Sequence, residues 1–182
     1  MKAIRIFTLL AAAYFLLAPG AQAQPLPANY FPRYFSLSGG AYVPEGSDLD
    51  ENNANNGFAG LLNFGYMVNP FFGMQTDLGY FETSGDNNLK VSALPVAISF
   101  KFAIPIAFVE PYVLGGGGVY FCKTDLGAFS DNSTEFAAHA AGGINFNFGQ
   151  FQIGAEARYL WLTAGNVDAD GLMVMGKIGS RF

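Results

Sequence analysis

Between Leu172 and Phe182 every second side chain changes character. Leu172, Val174, Gly176, Ile178, Ser180 and Phe182 fall on one face of an extended strand; Met173, Met175, Lys177, Gly179 and Arg181 fall on the other. A greasy face opposite a charged face, ending on an aromatic, does not suit a sheet in water. It suits one wall strand of a membrane barrel, with lipid outside and a polar lumen inside.

Residues 1–23 read as a secretory signal peptide. Lys2 and Arg5 give the positive start, Ile6 to Ala18 the apolar stretch, and Ala21-Gln22-Ala23 the small-residue cleavage site. After Ala23 no apolar run approaches the roughly 20 residues that a membrane helix needs. A mature chain that crosses a membrane must then close into a barrel, because lipid offers backbone groups no partner. With 16% aromatic residues, 23 glycines and only 13% charged residues, the composition suits strands and tight turns.

Seven further segments alternate with period two. Tyr34–Val43 turns Phe35, Leu37, Ala41 and Val43 one way, and Ser36, Ser38, Gly40 and Tyr42 the other. Gly57–Val68 points Phe58, Leu62, Phe64, Tyr66 and Val68 outward. Phe72–Phe81 points Phe72, Met74, Leu78 and Tyr80 out, with Gln75 and Asp77 in. Lys90–Phe102 points Leu94, Val96, Ile98, Phe100 and Phe102 out, with Ala97, Ser99 and Lys101 in. Val109–Phe121 points Val113, Val119 and Phe121 out, with Glu110, Tyr112 and Tyr120 in. Thr134–Phe148 points Phe136, Ile144, Phe146 and Phe148 out, with His139, Asn145 and Asn147 in. Phe151–Leu162 points Phe151, Ile153, Tyr159 and Trp161 out, with Gln152, Glu156 and Arg158 in. Each segment is long enough to cross a bilayer at a tilt.

The connections alternate as well. Pro44–Asn56, Glu82–Leu89, Cys122–Ser133 and Thr163–Gly171 are longer and acidic; Asn69-Pro70-Phe71, Ala103–Phe108 and Gly149-Gln150 are shorter. Long loops outside and short turns in the periplasm are the outer-membrane pattern, and an even strand count then puts both chain ends in the periplasm. Aromatics mark two girdles. One, at the turn side, holds Phe35, Tyr66, Phe72, Phe100, Phe102, Phe146, Phe148, Phe151 and Phe182; the other holds Phe58, Tyr80, Phe121, Phe136, Tyr159 and Trp161. Only the fifth segment lacks an aromatic at its turn end. The expected fold is an eight-stranded antiparallel transmembrane β-barrel. Residues 1–23 are the signal, 24–33 a periplasmic lead-in and 34–182 the barrel domain.

The fifth segment, Val109-Glu110-Pro111-Tyr112-Val113-Leu114-Gly115-Gly116-Gly117-Gly118, the seventh, Gly154-Ala155-Glu156-Ala157-Arg158-Tyr159, and terminal Phe182 resemble the small outer-membrane β-barrel proteins of Gram-negative bacteria. These include the OmpA-type transmembrane domain, OmpX, OmpW and the opacity-type surface proteins. The resemblance spans the mature chain. It implies outer-membrane lipid and lipopolysaccharide as surroundings. It also implies an assembly signal at Phe182, read by the barrel-assembly machinery. Val174 and Ile178 fit the apolar alternation before that aromatic, while Gly176 and Ser180 depart from it. The fold hosts many roles, so it does not name one.

Ionisable side chains inside the wall are the candidate site: Asp77, Glu110 and Glu156 against Lys101, Arg158 and Lys177. Lys101 and Glu110 flank one short turn and are placed to pair. Glu156 and Arg158 lie beside Lys177. Salt bridges filling a narrow lumen, or a gate in a polar conduit, would each use them. His139 is the only histidine, and its own strand core carries no serine, so it reads as a lumen hydrogen-bonding group. Cys122 is the only cysteine; it cannot form an internal disulfide and does not sit at the cleavage site for a lipid anchor. Gly115–Gly118 lacks the Gly-Lys-Ser/Thr ending of a phosphate loop, and glycines inside a strand permit bending and close packing. Asp48-Leu49-Asp50-Glu51 and Asp168-Ala169-Asp170-Gly171 faintly resemble calcium loops but lack the later Gly and Glu. Asn132-Ser133-Thr134 fits a glycosylation pattern that carries no weight in a bacterial barrel. No metal or cofactor is expected.

Removing Lys2 and Arg5 leaves 7 basic against 14 acidic residues, which argues against a nucleic-acid partner. The leading expectation is a non-enzymatic surface protein with acidic external loops, serving envelope integrity or adhesion and contact with a host or extracellular ligand. The alternatives are a narrow porin-like channel or an OmpW-like conduit for small apolar molecules, and then a lipid-modifying enzyme. A soluble lipocalin-like barrel would put its apolar face inside.

Overall fold

The computed structural model describes residues 33–46, 55–85, 89–126, 129–164 and 167–182. The signal peptide, most of the lead-in, the Asp48–Glu51 segment and Asp86 lie outside the described residues. β1 (Arg33–Pro44), β2 (Gly57–Met67), β3 (Phe72–Ser84), β4 (Leu89–Ala103), β5 (Val109–Leu126), β6 (Phe129–Phe148), β7 (Phe151–Trp161) and β10 (Gly171–Arg181) form the wall. Two short strands, β8 (Thr163–Ala164) and β9 (Val167–Asp168), pair with each other in the last connection.

The eight wall strands close in the order β1-β10-β7-β6-β5-β4-β3-β2, all antiparallel. Closure runs through β1 and β10, from Tyr34↔Arg181 to Pro44↔Gly171. Arg33 and Phe182 extend that seam by exchanging both backbone hydrogen bonds at 2.9 Å. A closed ladder leaves no edge to face lipid, which is the condition for a sheet to span a membrane.

The inward and outward faces follow the alternation. Phe136 is 78% exposed and Phe100 69%, while Asp77, Ser99 and Asn63 are wholly buried. Large apolar side chains pointing out while charges point in is the inverse of a soluble barrel. The girdle is more complete than expected: Phe108, in the turn before β5, stands 6.1 Å from Phe148 and 6.4 Å from Phe146, filling the place that β5 itself leaves empty.

Three expectations needed correction. Cys122–Ser133 is not a long loop; the β5–β6 ladder continues to Leu126↔Phe129. The extension has too few apolar residues to read as membrane strand, but a hairpin standing in water needs no apolar face. Glu82–Leu89 shortens for the same reason, with Glu82, Thr83 and Ser84 paired to Ser92, Val91 and Lys90. The lumen is not polar throughout either. Its loop half is packed with Tyr42, Leu61, Phe81, Leu160, Met173 and Met175, and Cys122 belongs to this cluster. An eight-stranded barrel is only wide enough for its own side chains, so a dry apolar plug is an available filling.

The last connection covers this plug. Tyr42 donates its hydroxyl to the carbonyl of Ala169 at 2.6 Å, and Leu162 N–H donates to the Asp170 carboxylate at 2.7 Å. Asp170 N–H in turn donates to Asp168 Oδ1 at 3.3 Å. The two acids that suggested a calcium loop therefore serve backbone donors. Partial burial, with the Asp168 charge nearby, holds the Asp170 carboxyl above its ordinary range.

Candidate functional site

Below the apolar plug, toward the turn end, the six predicted lumen charges gather in two adjoining clusters. Asp77 on β3 and Arg158 on β7 lie four strands apart in either direction around the barrel, so they face each other across its full width. Arg158 Nη1 reaches Asp77 Oδ2 at 2.9 Å, and its Nε donates to Glu156 Oε1 at 2.9 Å. Glu156 also accepts from Lys177 at 3.2 Å and from the Tyr112 hydroxyl at 2.7 Å. Two acids and two bases thus form a neutral crossbar.

The crossbar is held from the wall by neutral groups placed by register. Asn63 sits directly opposite Asp77 on β2 and donates to Asp77 Oδ1 at 2.7 Å. Gln75, two residues before Asp77 on the same face, donates to the same oxygen at 2.7 Å. Ser36 and Ser38 donate to Asn63 Oδ1 at 3.2 and 2.7 Å. A buried carboxylate is tolerable only when its lone pairs are filled in this way.

A second cluster lies nearer the turns. Lys101 and Glu110, either side of the β4–β5 turn, pair at 2.9 Å. Glu110 further accepts from Asn145 at 3.0 Å and from Arg181 at 3.0 Å. The Lys101 ammonium also lies 4.6 Å from the Tyr34 ring centre and 4.4 Å from that of Tyr112, so the two clusters touch through Tyr112. Two lumen residues lie outside the set expected from sequence: the charged Arg181 and the neutral Asn63. Arg181 was already on the charged face of its strand, so parity alone would have found it.

His139 is brought to a serine after all, from β4 rather than its own strand. Ser99, Gly116 and His139 share one cross-strand row. Because Gly116 has no side chain, Ser99 Oγ and His139 Nε2 meet across it at 2.7 Å. Asp77 lies 3.8 Å from that same Nε2, and the Tyr120 hydroxyl lies 3.5 Å from Nδ1. In a nucleophilic triad the acid must instead hold the imidazole nitrogen remote from the serine. All three groups are 2% exposed or less, so no substrate reaches them. Among the described residues, no three His, Cys, Asp or Glu side chains gather as a metal site.

Residues 9–175 match the outer membrane protein beta-barrel domain. The chain belongs to that family. It is an integral β-barrel of the Gram-negative outer membrane, and its closed wall and outward aromatics fit that setting. Similar solved structures include Neisserial surface protein A, 15% identical with a TM-score of 0.69 over 82% of this chain and 97% of that one. Ail, the attachment invasion locus protein of Yersinia pestis, is 18% identical with a TM-score of 0.59, covering 84% and 99%. OprG of Pseudomonas aeruginosa is 12% identical with a TM-score of 0.57, covering 85% and 97%. At such identities the likeness is one of fold. No curated protein sequence is detectably similar to the chain.

Proposed function

We propose that this barrel is a non-enzymatic surface protein that meets extracellular partners with a projecting sheet, while its lumen stays shut. The observation that carries the reading is the length of β5 and β6. Their ladder runs five residues past the girdle residue Phe121 to Leu126, about 16 Å at ~3.3 Å per residue. Pairing of β6 with β7 begins only at Ala138↔Trp161, so among the described residues 129–134 have ladder pairing to β5 alone. A free strand edge standing in water is a template for adding an extended peptide. Lys123, Asp125 and Asp131 lie along the projection, so charge keeps it soluble and screens what approaches. Outer-membrane lipid and lipopolysaccharide surround the wall in this reading. The acidic balance disfavours nucleic acid.

Shortening the hairpin, by replacing residues 123–132 with a two-residue turn, tests the reading. Cells carrying the short form should lose adherence to host cells or matrix while keeping a heat-modifiable folded barrel. Undiminished adherence would place the contact surface elsewhere or remove adhesion as the role.

The projecting end faces outward in this proposal, with the chain ends in the periplasm. Asp131→Cys and Asp168→Cys, each in a Cys122→Ala background, should react with a membrane-impermeant maleimide on intact cells. Asn69→Cys and Gln150→Cys should react only after the outer membrane is opened. The reverse pattern would invert the topology.

Phe182 is proposed to be read by the assembly machinery. Deleting it also removes two hydrogen bonds of the closing seam. The deletion should reduce the folded band on gels with precursor processing unchanged, and Phe182→Ala, which keeps both backbone bonds, should show much of the same defect. A normal Phe182→Ala barrel would mean the seam matters and the aromatic does not.

One observation favours the conduit reading. The β3–β4 ladder is interrupted between Leu78↔Val96 and Phe81↔Ala93, beside Pro95, which has no N–H to give. If that gap opens laterally, Pro95→Val should slow uptake of small apolar solutes; unchanged uptake removes the conduit.

A further inference from the structure

We propose that the β4–β5 turn, Ile104-Pro105-Ile106-Ala107-Phe108, lies within the lipid interface as a membrane anchor rather than in periplasmic water. This is independent of the adhesion reading. A turn at a barrel rim ordinarily carries polar side chains, and this one has none. Ile104 is 45% exposed, Ile106 60% and Phe108 54%. Three large apolar groups left in water would be costly, whereas lipid would cover them at no loss.

Lipid is the occupant because the turn continues a surface that already faces lipid. Ile104 extends the outward row of β4 past Ile98, Phe100 and Phe102. Phe108 packs against Phe146 and Phe148 of the girdle. No Asp, Glu, Lys, Arg or His occurs in 102–109, nor in the neighbouring turns across 64–76 and 144–155. The charges nearest this rim, Lys101 and Glu110, point inward and neutralise each other. Exposed Arg33 stands on the opposite side of the barrel, on β1.

The backbone is prepared for a poor solvent too. Ile104 N–H donates to the Pro111 carbonyl at 2.9 Å, while Ile106 and Val109 exchange hydrogen bonds at 2.8 and 2.9 Å. Pro105 has no donor, and the Phe108 carbonyl accepts from Asn147 N–H at 2.7 Å. The donors of Ala107 and Phe108 remain, which sets the depth at the headgroup boundary rather than the hydrocarbon centre. The anchored turn joins β4 to β5, the strand that also forms the projecting hairpin.

The test uses the full mature barrel, one copy per lipid nanodisc, with Trp161→Phe removing the natural fluorophore. Ile106→Trp should emit at shorter wavelength than Gln150→Trp at the β6–β7 turn. Lipid brominated near the headgroup end of its chains should quench it more strongly than aqueous acrylamide does. Ile104→Trp gives a second site if the first variant folds poorly. Emission and acrylamide quenching equal to those of Gln150→Trp at both sites would overturn the anchor. So would a blue shift that appears only when two barrels share a disc, which would assign the turn to a second copy.

Discussion

Arg158→Ala is expected to destabilise the folded barrel by about 3–5 kcal/mol, the usual cost of leaving a buried charge without its partner. Arg158 is 2% exposed and is the cation nearest both crossbar acids. Glu156 would keep Lys177 and Tyr112. Asp77 would keep only neutral donors and His139, so most of the loss falls there. Pairing the change with Asp77→Asn removes the stranded charge and should recover part of the stability. Lipid-facing Ile153→Ala should cost less, because lipid can fill the lost volume. Urea unfolding in lipid vesicles gives all three values. An Arg158→Ala cost no larger than that of Ile153→Ala would mean the crossbar is wet and contributes little.

Gly116→Ala should impair folding where the adjacent Gly115→Ala does not. A Cβ at Gly116 would lie 2.0 Å from the Ile98 carbonyl oxygen and 2.6 Å from the Ser99 Cα. Both atoms are backbone, so room appears only if β4 and β5 separate. The added methyl would also stand between Ser99 and His139. Overpacking of this kind costs about 1–3 kcal/mol, and backbone obstruction places this case at the upper end. At Gly115 the nearest atom is the His139 carbonyl oxygen at 3.9 Å, an ordinary contact on the lipid side. Its replacement should stay within about 0.5 kcal/mol. Equal folded fractions on heat-modifiability gels would show that the wall relaxes around Gly116.

The wall was legible because lipid imposes one rule on every strand. Outward positions such as Ile98, Phe136 and Val174 must be apolar, and period two then gives inward parity for Asp77, Arg158 and Lys177. What lies beyond the membrane obeys no such rule. Lys123, Thr124 and Asp125 look like loop residues although they are paired strand. The lumen was half legible. Parity showed that Asp77 and Arg158 face inward, but not that they meet. That depends on ring closure, which sets β3 opposite β7. The Ser99–His139 contact was hidden for a similar reason. It joins strands two apart across Gly116, and only the cross-strand register reveals it.

Single-channel recording of the refolded barrel in a planar bilayer tests the shut lumen most directly. A crossbar spanning the barrel beneath an apolar plug should give a wild-type protein that is closed, with Arg158→Ala leaking at most slightly. A steady wild-type conductance whose ion selectivity reverses in Arg158→Glu would contradict the shut lumen and make ion passage the function.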